Sequence, residues 1–255
     1  MAIFKLFLQP RLVLVVLVSC VTVQSHAQTG GLYIGAYHED VVANPEDPTF
    51  GVVYLNLPDG EASFKGLMDF TFVGCQSKSV AEIKGDKSKL SLKGEWAGQI
   101  DNTVQSGLYK GRYIPKGKYY EGTYSVRKGK QQVVVPNCIK YFISPYGTWK
   151  IFELNTVFSD SEQIEAVSLS NGVATWSAPA GNMSTSISII DKDLAVRGAK
   201  TAVLHQQILS PGQVEFRISD YLQKTGKTYV FAVVASDGEK ITYISSQEFS
   251  DKWLD

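Results

Sequence analysis

The residues best suited to chemistry form a basic and aromatic tract in the middle of the chain. Between positions 109 and 130, seven lysines and arginines are interleaved with five tyrosines, and Glu121 is the only acid. Tyrosine rings can stack on sugars or bases, while cationic side chains bind carboxylate or phosphate groups. The tract therefore predicts a binding site for an anionic ligand. The residues assigned to it are Tyr109, Lys110, Arg112, Tyr113, Lys116, Lys118, Tyr119, Tyr120 and Tyr124.

The same tract also has a purely structural interpretation. Residues alternate between the two faces of a β-strand, so the tyrosines could fill a core while the charges cover the outer surface. Trp149, a little further along the chain, has the same two interpretations: an exposed stacking residue or a core aromatic. The sequence leaves both possibilities open.

The sequence lacks the motifs that usually carry catalysis, such as Gly-x-Ser-x-Gly, His-Glu-x-x-His, the phosphate-binding Gly-x-x-x-x-Gly-Lys and Cys-x-x-Cys. Glu95 and Asp101 could act as paired carboxylates, although surface acids on a hairpin explain them better. Four carboxylates between positions 38 and 48 could bind calcium, but their spacing fits no known loop and the prolines favour turns. We predict no catalytic residue, no metal site and no cofactor.

The first 27 residues are typical of a secretory leader. A basic start precedes an unbroken apolar stretch at 12–18, and Ser25-His26-Ala27 provides small residues for signal peptidase, which would leave Gln28 first. Alternatively, Leu17-Val18-Ser19-Cys20 resembles a bacterial lipobox, so that a leader of residues 1–19 would be removed and Cys20 lipidated. Either route predicts an exported protein in the periplasm, the cell envelope or the medium.

Export determines how the other cysteines are interpreted. Only Cys75 and Cys138 remain after Cys20, and an even pair in an oxidising compartment predicts a disulfide. A catalytic thiol would need a positioned base, and neither His38 nor His205 is close to a cysteine in sequence.

The charge balance limits the possible partners. The chain has 25 basic and 25 acidic residues, which argues against a nucleic-acid partner bound through bulk positive charge. No apolar run after the leader approaches the length of a membrane span, so membrane attachment would come only through a lipid on Cys20. The expected partner is an envelope glycan, lipid or protein, and the sequence does not predict an oligomeric state.

Residues 28–158 are rich in glycine and tyrosine and show short stretches with a period of two. Such stretches, separated by turn residues, predict antiparallel hairpins in a meander or small β-barrel. A repeat of the form apolar-charged-Gly-x-aromatic recurs at 92–96, 109–113 and 120–124. It resembles MORN-type repeats and the opening hairpin of avidin-like barrels. Ala97-Gly98 stands where an avidin-like protein would place a polar ligand-binding residue, so no biotin site is implied.

Residues 159–255 show a different sequence pattern from the first half. Trp176 lies on an alternating strand, and Leu222 precedes a turn, Tyr229 and a long apolar strand that ends at Ala235. These features resemble the B strand, the tyrosine corner and the F strand of fibronectin type III domains, which implies an Ig-like β-sandwich. The polar segment at 155–163 would connect the two halves.

Together these features predict an all-β protein in which an antiparallel meander or small β-barrel is followed by a fibronectin type III-like β-sandwich. We expect a non-enzymatic cell-envelope binding or accessory protein. The alternatives are a carbohydrate-active enzyme with an accessory β-sandwich, and a β-barrel that carries a small apolar ligand.

Overall fold

The structure, a computed structural model, confirms an all-β protein. It describes residues 31–39, 50–71, 78–88, 90–100, 103–128, 132–133, 141–142, 146–160, 165–177, 183–222, 225–237 and 239–254. The leader, Cys20, Cys75 and Cys138 lie outside these residues, so export, lipidation and the disulfide stay predictions.

Eight antiparallel strands close into a barrel, which is one of the two architectures expected for the first half. Seven are consecutive along the chain, and the eighth closes the barrel by pairing with both the first and the seventh. The barrel strands are β1 (Gly31–Glu39), β2 (Phe50–Leu57), β3 (Ser63–Thr71), β4 (Lys78–Lys87), β5 (Ser91–Ile100), β6 (Thr103–Ile114), β7 (Tyr119–Lys128) and β10 (Tyr146–Glu153). The short strands β8 (Gln132–Val133) and β9 (Tyr141–Phe142) pair with each other before β10.

Aromatic rings fill the barrel interior, and glycines make room for them. The indole of Trp149 lies over Gly111 and Gly122, which face each other on β6 and β7. A side chain at either glycine would overlap this ring, so the bare backbone provides the space that the indole occupies. The buried interior side chains are Tyr33, Tyr37, Val53, Leu55, Leu57, Phe64, Met68, Ala81, Ile83, Leu92, Trp96, Tyr109, Tyr120, Tyr124, Trp149 and Ile151.

The rest of the chain forms two further antiparallel sheets with a shared core. One has the order β11-β18-β17-β14-β15 and the other β12-β13-β16. Trp176 and Phe231 meet in this core with ring centroids 6.2 Å apart. The strands are β11 (Val157–Ser159), β12 (Ser168–Ser170), β13 (Val173–Thr175), β14 (Ser184–Asp191), β15 (Val203–Leu209), β16 (Glu215–Arg217), β17 (Thr228–Ser236) and β18 (Ile241–Ser250). Helix α1 (Lys192–Val196) follows β14, and short 3₁₀ turns occur at Lys200–Ala202, Ile218–Asp220 and Asp251–Leu254.

The five-stranded sheet packs its second face against the outer wall of the barrel. On β17, Val230, Ala232 and Val234 pack in the cluster shared with the barrel, while Phe231 and Val233 pack in the core shared with the three-stranded sheet. Strands β1 and β2 are buried at nearly every position because one face lines the barrel and the other meets this sheet. Near-continuous apolar runs are typical of strands that are covered on both faces.

The packing of Trp149 over glycine yields a stability prediction. We expect Gly111→Ala to lower the free energy of unfolding by about 1–3 kcal/mol, because the added methyl overlaps the indole in a filled core. Urea unfolding monitored by tryptophan fluorescence would measure the loss. Gly31→Ala is the matched control, since nothing lies within 4 Å of the methyl it would add. Equal losses in the two variants would contradict the expectation.

Candidate functional site

Strand alternation divides the predicted binding tract between the inside and the outside of the barrel. Tyr109, Tyr120 and Tyr124 are buried in the interior, and Tyr113 is half-buried against the same core. Tyr109 stacks on Trp149 with centroids 4.2 Å apart and an angle of 14° between the rings. The buried rings of Tyr109, Tyr120 and Tyr124 are enclosed by the barrel wall.

Burial also keeps the interior phenols uncharged. It raises the pKa of Tyr109 well above the ordinary value for tyrosine. Burial and the nearby Glu153 carboxylate raise the pKa of Tyr33 to about 12. A general base works best when its pKa lies near the working pH, so these phenols are poorly suited to proton abstraction. Their role in the described structure is packing.

The cationic part of the tract lies on the outer wall. On the neighbouring strands β6, β7 and β10, outward side chains form rows because the pairing register places them directly opposite one another. Neighbouring strands are about 4.8 Å apart, so each row is a compact polar surface. One row contains Lys110, Thr123 and Thr148, and the next contains Arg112, Glu121 and Lys150.

The second row is held together by its own contacts. Arg112 Nη2 donates to Glu121 Oε1 at 3.0 Å, and the arginine side chain is 73% exposed. The Lys150 ammonium lies 5.1 Å from the ring centre of Tyr119 and 4.4 Å from that of Phe158, within the range of cation–π attraction. Tyr119, the outward-facing tyrosine of the predicted set, thus helps to hold a cation in place.

The first row extends to β5, where Lys93 lies directly opposite Lys110. Both side chains are exposed, and among the described residues neither ammonium has a carboxylate within 4 Å. Like charges placed directly opposite each other on neighbouring strands destabilise a sheet. On the other side of β5, Asp86 lies directly opposite Lys93, so the repulsion between the two lysines is partly offset by a neighbouring acid. We call Lys93, Lys110, Arg112 and Lys150 the basic face.

Sequence reasoning missed Lys93, although the signal was present. Lys93-Gly94 and Lys110-Gly111 occupy the same position in the apolar-charged-Gly-x-aromatic repeat. Antiparallel pairing of two repeats can bring these positions together, but the pairing depends on a register that the sequence does not reveal. The observed register aligns Lys93 with Lys110 and Gly94 with Tyr109.

A cleft of about 680 Å³ lies between the basic face and the β17–β18 turn. Lys110, Arg112 and Lys150 line one side, together with Thr123 and Thr148. The opposite side carries Asp160, Glu239 and Lys240, and Lys240 Nζ lies 2.6 Å from an Asp160 carboxylate oxygen. The barrel side is therefore strongly basic, whereas the turn side is weakly acidic.

The other predicted candidates do not join the cleft. Lys116 and Lys118 are exposed on the β6–β7 turn, where Lys118 adopts a φ of 54°. Glu95 lies on the outer wall, and Asp101 is outside the described residues. His38 is buried at the end of β1, while most of the acidic loop after it is likewise not described.

Two further features are absent from the residues that the structure describes. No group of three or more His, Cys, Asp or Glu side chains placed to hold a metal ion occurs in this part of the chain. None of the helices described is both long and apolar enough to cross a membrane.

Comparison with protein-family models and with curated proteins found no match. The functional argument therefore depends on the site alone.

The opposed lysines predict an unusual response to mutation. We expect Lys110→Gln to leave the free energy of unfolding unchanged or to raise it by about 0.2–1 kcal/mol at low salt, because it removes repulsion from Lys93. Urea unfolding at low and high salt would measure the change, and high salt should reduce it. A loss above about 1 kcal/mol would show that the ammonium has a stabilising partner.

Proposed function

We propose that this protein is an exported, non-enzymatic binding protein whose basic face recognises an anionic glycan of the cell envelope. The observation that carries the proposal is the opposed pair of Lys93 and Lys110, two exposed cations without a carboxylate partner among the described residues. Two threonine hydroxyls continue the same row, next to the cations. A sugar acid carries this combination of groups, because its carboxylate is flanked by hydroxyls.

The charge of the two cleft walls favours a sparsely charged ligand. A densely sulfated or phosphorylated polymer would meet Asp160 and Glu239 across the cleft and Glu121 within the basic face. A glycan with one carboxylate on every second sugar can place that charge on the lysines and its neutral sugars near the acids.

The barrel interior gives less support to the two alternatives. A carrier of small apolar ligands needs an open lumen, but sixteen buried side chains occupy the described interior. A glycosidase needs two suitably separated carboxylates in one pocket, whereas Glu121 in the cleft is engaged by Arg112. Surface recognition is therefore the function that the geometry supports best.

For the second half of the chain, we propose a fibronectin type III-like sandwich that acts as a spacer or protein-docking module. The sheet orders β12-β13-β16 and, apart from its edge strand β11, β18-β17-β14-β15 resemble the A-B-E and G-F-C-C′ sheets of that fold. The Tyr229 hydroxyl lies 2.7 Å from the Thr225 side-chain hydroxyl four residues upstream, where a tyrosine corner would contact the backbone. Trp176, on the segment after β13, packs near Phe231 of β17.

Binding to defined glycans tests the proposed function directly. We expect the protein to bind hyaluronan, which has one carboxylate per disaccharide, and not neutral dextran. The double variant Lys93→Gln/Lys110→Gln should bind roughly tenfold or more weakly, because hydrogen bonds to charged groups contribute about 1.5–3 kcal/mol each. Isothermal titration calorimetry or glycan-coated biosensors would measure the affinities.

Charge-matched variants and other anions complete that experiment. Lys84→Gln/Lys200→Gln removes two exposed cations outside the basic face and should keep wild-type affinity. Equal loss in both double variants, or no binding of wild type to any acidic glycan, would contradict the proposal. Binding only to heparin would contradict the sparse-charge argument, and binding only to phosphatidylglycerol vesicles would instead assign a lipid headgroup.

The form of the exported chain is tested separately. Mass spectrometry of the protein from its native host should show a mature chain that begins either at a lipidated Cys20 or at Gln28. A full-length chain that retains residues 1–19 would contradict export through either route.

A further inference from the structure

The junction between the barrel and the five-stranded sheet contains a carboxylate that the binding site does not use. Asp69 lies on β3, is fully buried and forms part of the barrel wall that faces β14 and β15. The junction contains apolar side chains such as Val52, Ile190 and Val230, together with the buried polar residues Ser186, Ser188 and Gln206. An acid in such a place is costly to ionise unless a cation or several donors compensate its charge.

Groups from both the barrel and the five-stranded sheet contact the Asp69 carboxylate. The Val52 backbone N–H donates to Oδ1 at 2.7 Å, and the Tyr54 hydroxyl lies 3.5 Å from Oδ2. From the five-stranded sheet, the Ser188 hydroxyl lies 3.3 Å from Oδ2. Gln206, directly opposite Ser188 in register, is buried in the same sheet. Asp69 is thus shared between the barrel and the sheet.

The contacting groups supply no positive charge. Tyr54 is the only ionisable side chain among them, and burial raises its pKa well above the ordinary value, so it stays neutral. Of the charged residues around the junction, Lys192 lies 2.6 Å from Glu248 and Lys227 lies 2.7 Å from Asp191. Other titratable side chains on this face of the barrel are the exposed Lys65, four residues before Asp69 on β3, and the buried His38 on β1. Asp193, on helix α1, adds a further negative charge to an element that contacts β3.

We propose that Asp69 is a pH-sensitive lock that holds the barrel and the five-stranded sheet together when it is protonated and loosens them when it ionises. The neutral carboxyl can donate its proton to the Ser188 or Tyr54 oxygen and costs little to bury. The carboxylate keeps its donors but loses solvation. Because the β17–β18 turn that walls the cleft belongs to this sheet, a looser junction would also change the cleft. This last consequence depends on the proposed function.

The electrostatics of the site agree with this geometry and define the pH window. Burial raises the pKa of Asp69 from 3.8 to about 6, against the opposing effect of its hydrogen bonds. The folded state therefore holds the proton more tightly than the unfolded chain does. The stabilisation is complete below about pH 4, is lost as the pH rises through about 6, and stays lost at neutral pH.

Comparison of wild type with Asp69→Asn tests the lock. The asparagine keeps the shape of the side chain but cannot ionise. For wild type, the contribution of this group to the unfolding equilibrium should change by about 100-fold between pH 4 and pH 7.5, which corresponds to about two pKa units. Asp69→Asn should lack this component, so the difference between the two unfolding profiles isolates it from the other carboxylates.

A control variant and a second measurement make the test of Asp69 decisive. Asp220→Asn, at an exposed carboxylate, should follow the wild-type profile. Parallel profiles for wild type and Asp69→Asn would overturn the proposal. If Asp69→Asn fails to fold, carbon-13 NMR titration of the Asp69 carboxyl in wild type decides the matter, and a midpoint near pH 4 would overturn the proposal.

Hyaluronan binding at pH 5 and pH 7.5 separates the lock from the binding function. Wild-type affinity should vary with pH in a way that Asp69→Asn does not. If the affinity does not change with pH but the unfolding profiles are as expected, Asp69 still acts as a lock but has no effect on the cleft. Absence of binding at either pH would remove the proposed function, while the unfolding comparison would still decide the role of Asp69.

Discussion

The junction between the barrel wall and the five-stranded sheet is the contact on which the rest of the molecule depends. Strands β1 and β2 bury both faces, and β14 and β17 do the same from the other side. Because the sheet lies between the barrel and the three-stranded sheet, the chain stacks into three layers. This stacking places the β17–β18 turn across from β6, β7 and β10 and so creates the cleft.

Aromatic packing inside the barrel has a consequence for function. A barrel of eight strands can hold a small ligand only if its interior side chains leave a cavity. Here Trp149 lies over Gly111 and Gly122 and stacks on Tyr109, so large rings and bare glycines fit together within the lumen. The charged side chains of β6 and β7 lie on the outer wall, because successive residues of a strand point to opposite faces.

Some contacts on the outer wall have little effect on the stability of the fold, whereas others do affect it. The exposed pair Arg112–Glu121 contributes little, as is typical of solvent-exposed ion pairs. Lys150 is more constrained because it lies between two rings. Lys93 and Lys110 oppose each other on neighbouring strands, with Asp86 opposite Lys93 on its other side, and this like-charge contact is the observation on which the proposed function rests.

Much of this organisation could be predicted from the residues. Stretches with a period of two predicted strands throughout the chain. The close spacing of the hairpins predicted either a meander or a barrel, and the structure is a barrel. The binding hypothesis grouped Tyr109 with Lys110 in one tract, whereas the structural interpretation, with tyrosines in the core and charges on the outer surface, is the one that the barrel wall follows. The sequence does not distinguish Lys93 or Asp69 from other residues, since a single lysine or aspartate in an alternating strand is common.

The sequence by itself determined which residues share a face, because successive side chains on a strand point in opposite directions whatever the fold. It could not determine which faces are covered or which residues become neighbours across strands. Those depend on register and closure, which arise from contacts between residues far apart in the chain. Tertiary structure alone therefore decided that Lys93 faces Lys110, that the tyrosines are enclosed, and that Asp69 lies buried between two bodies.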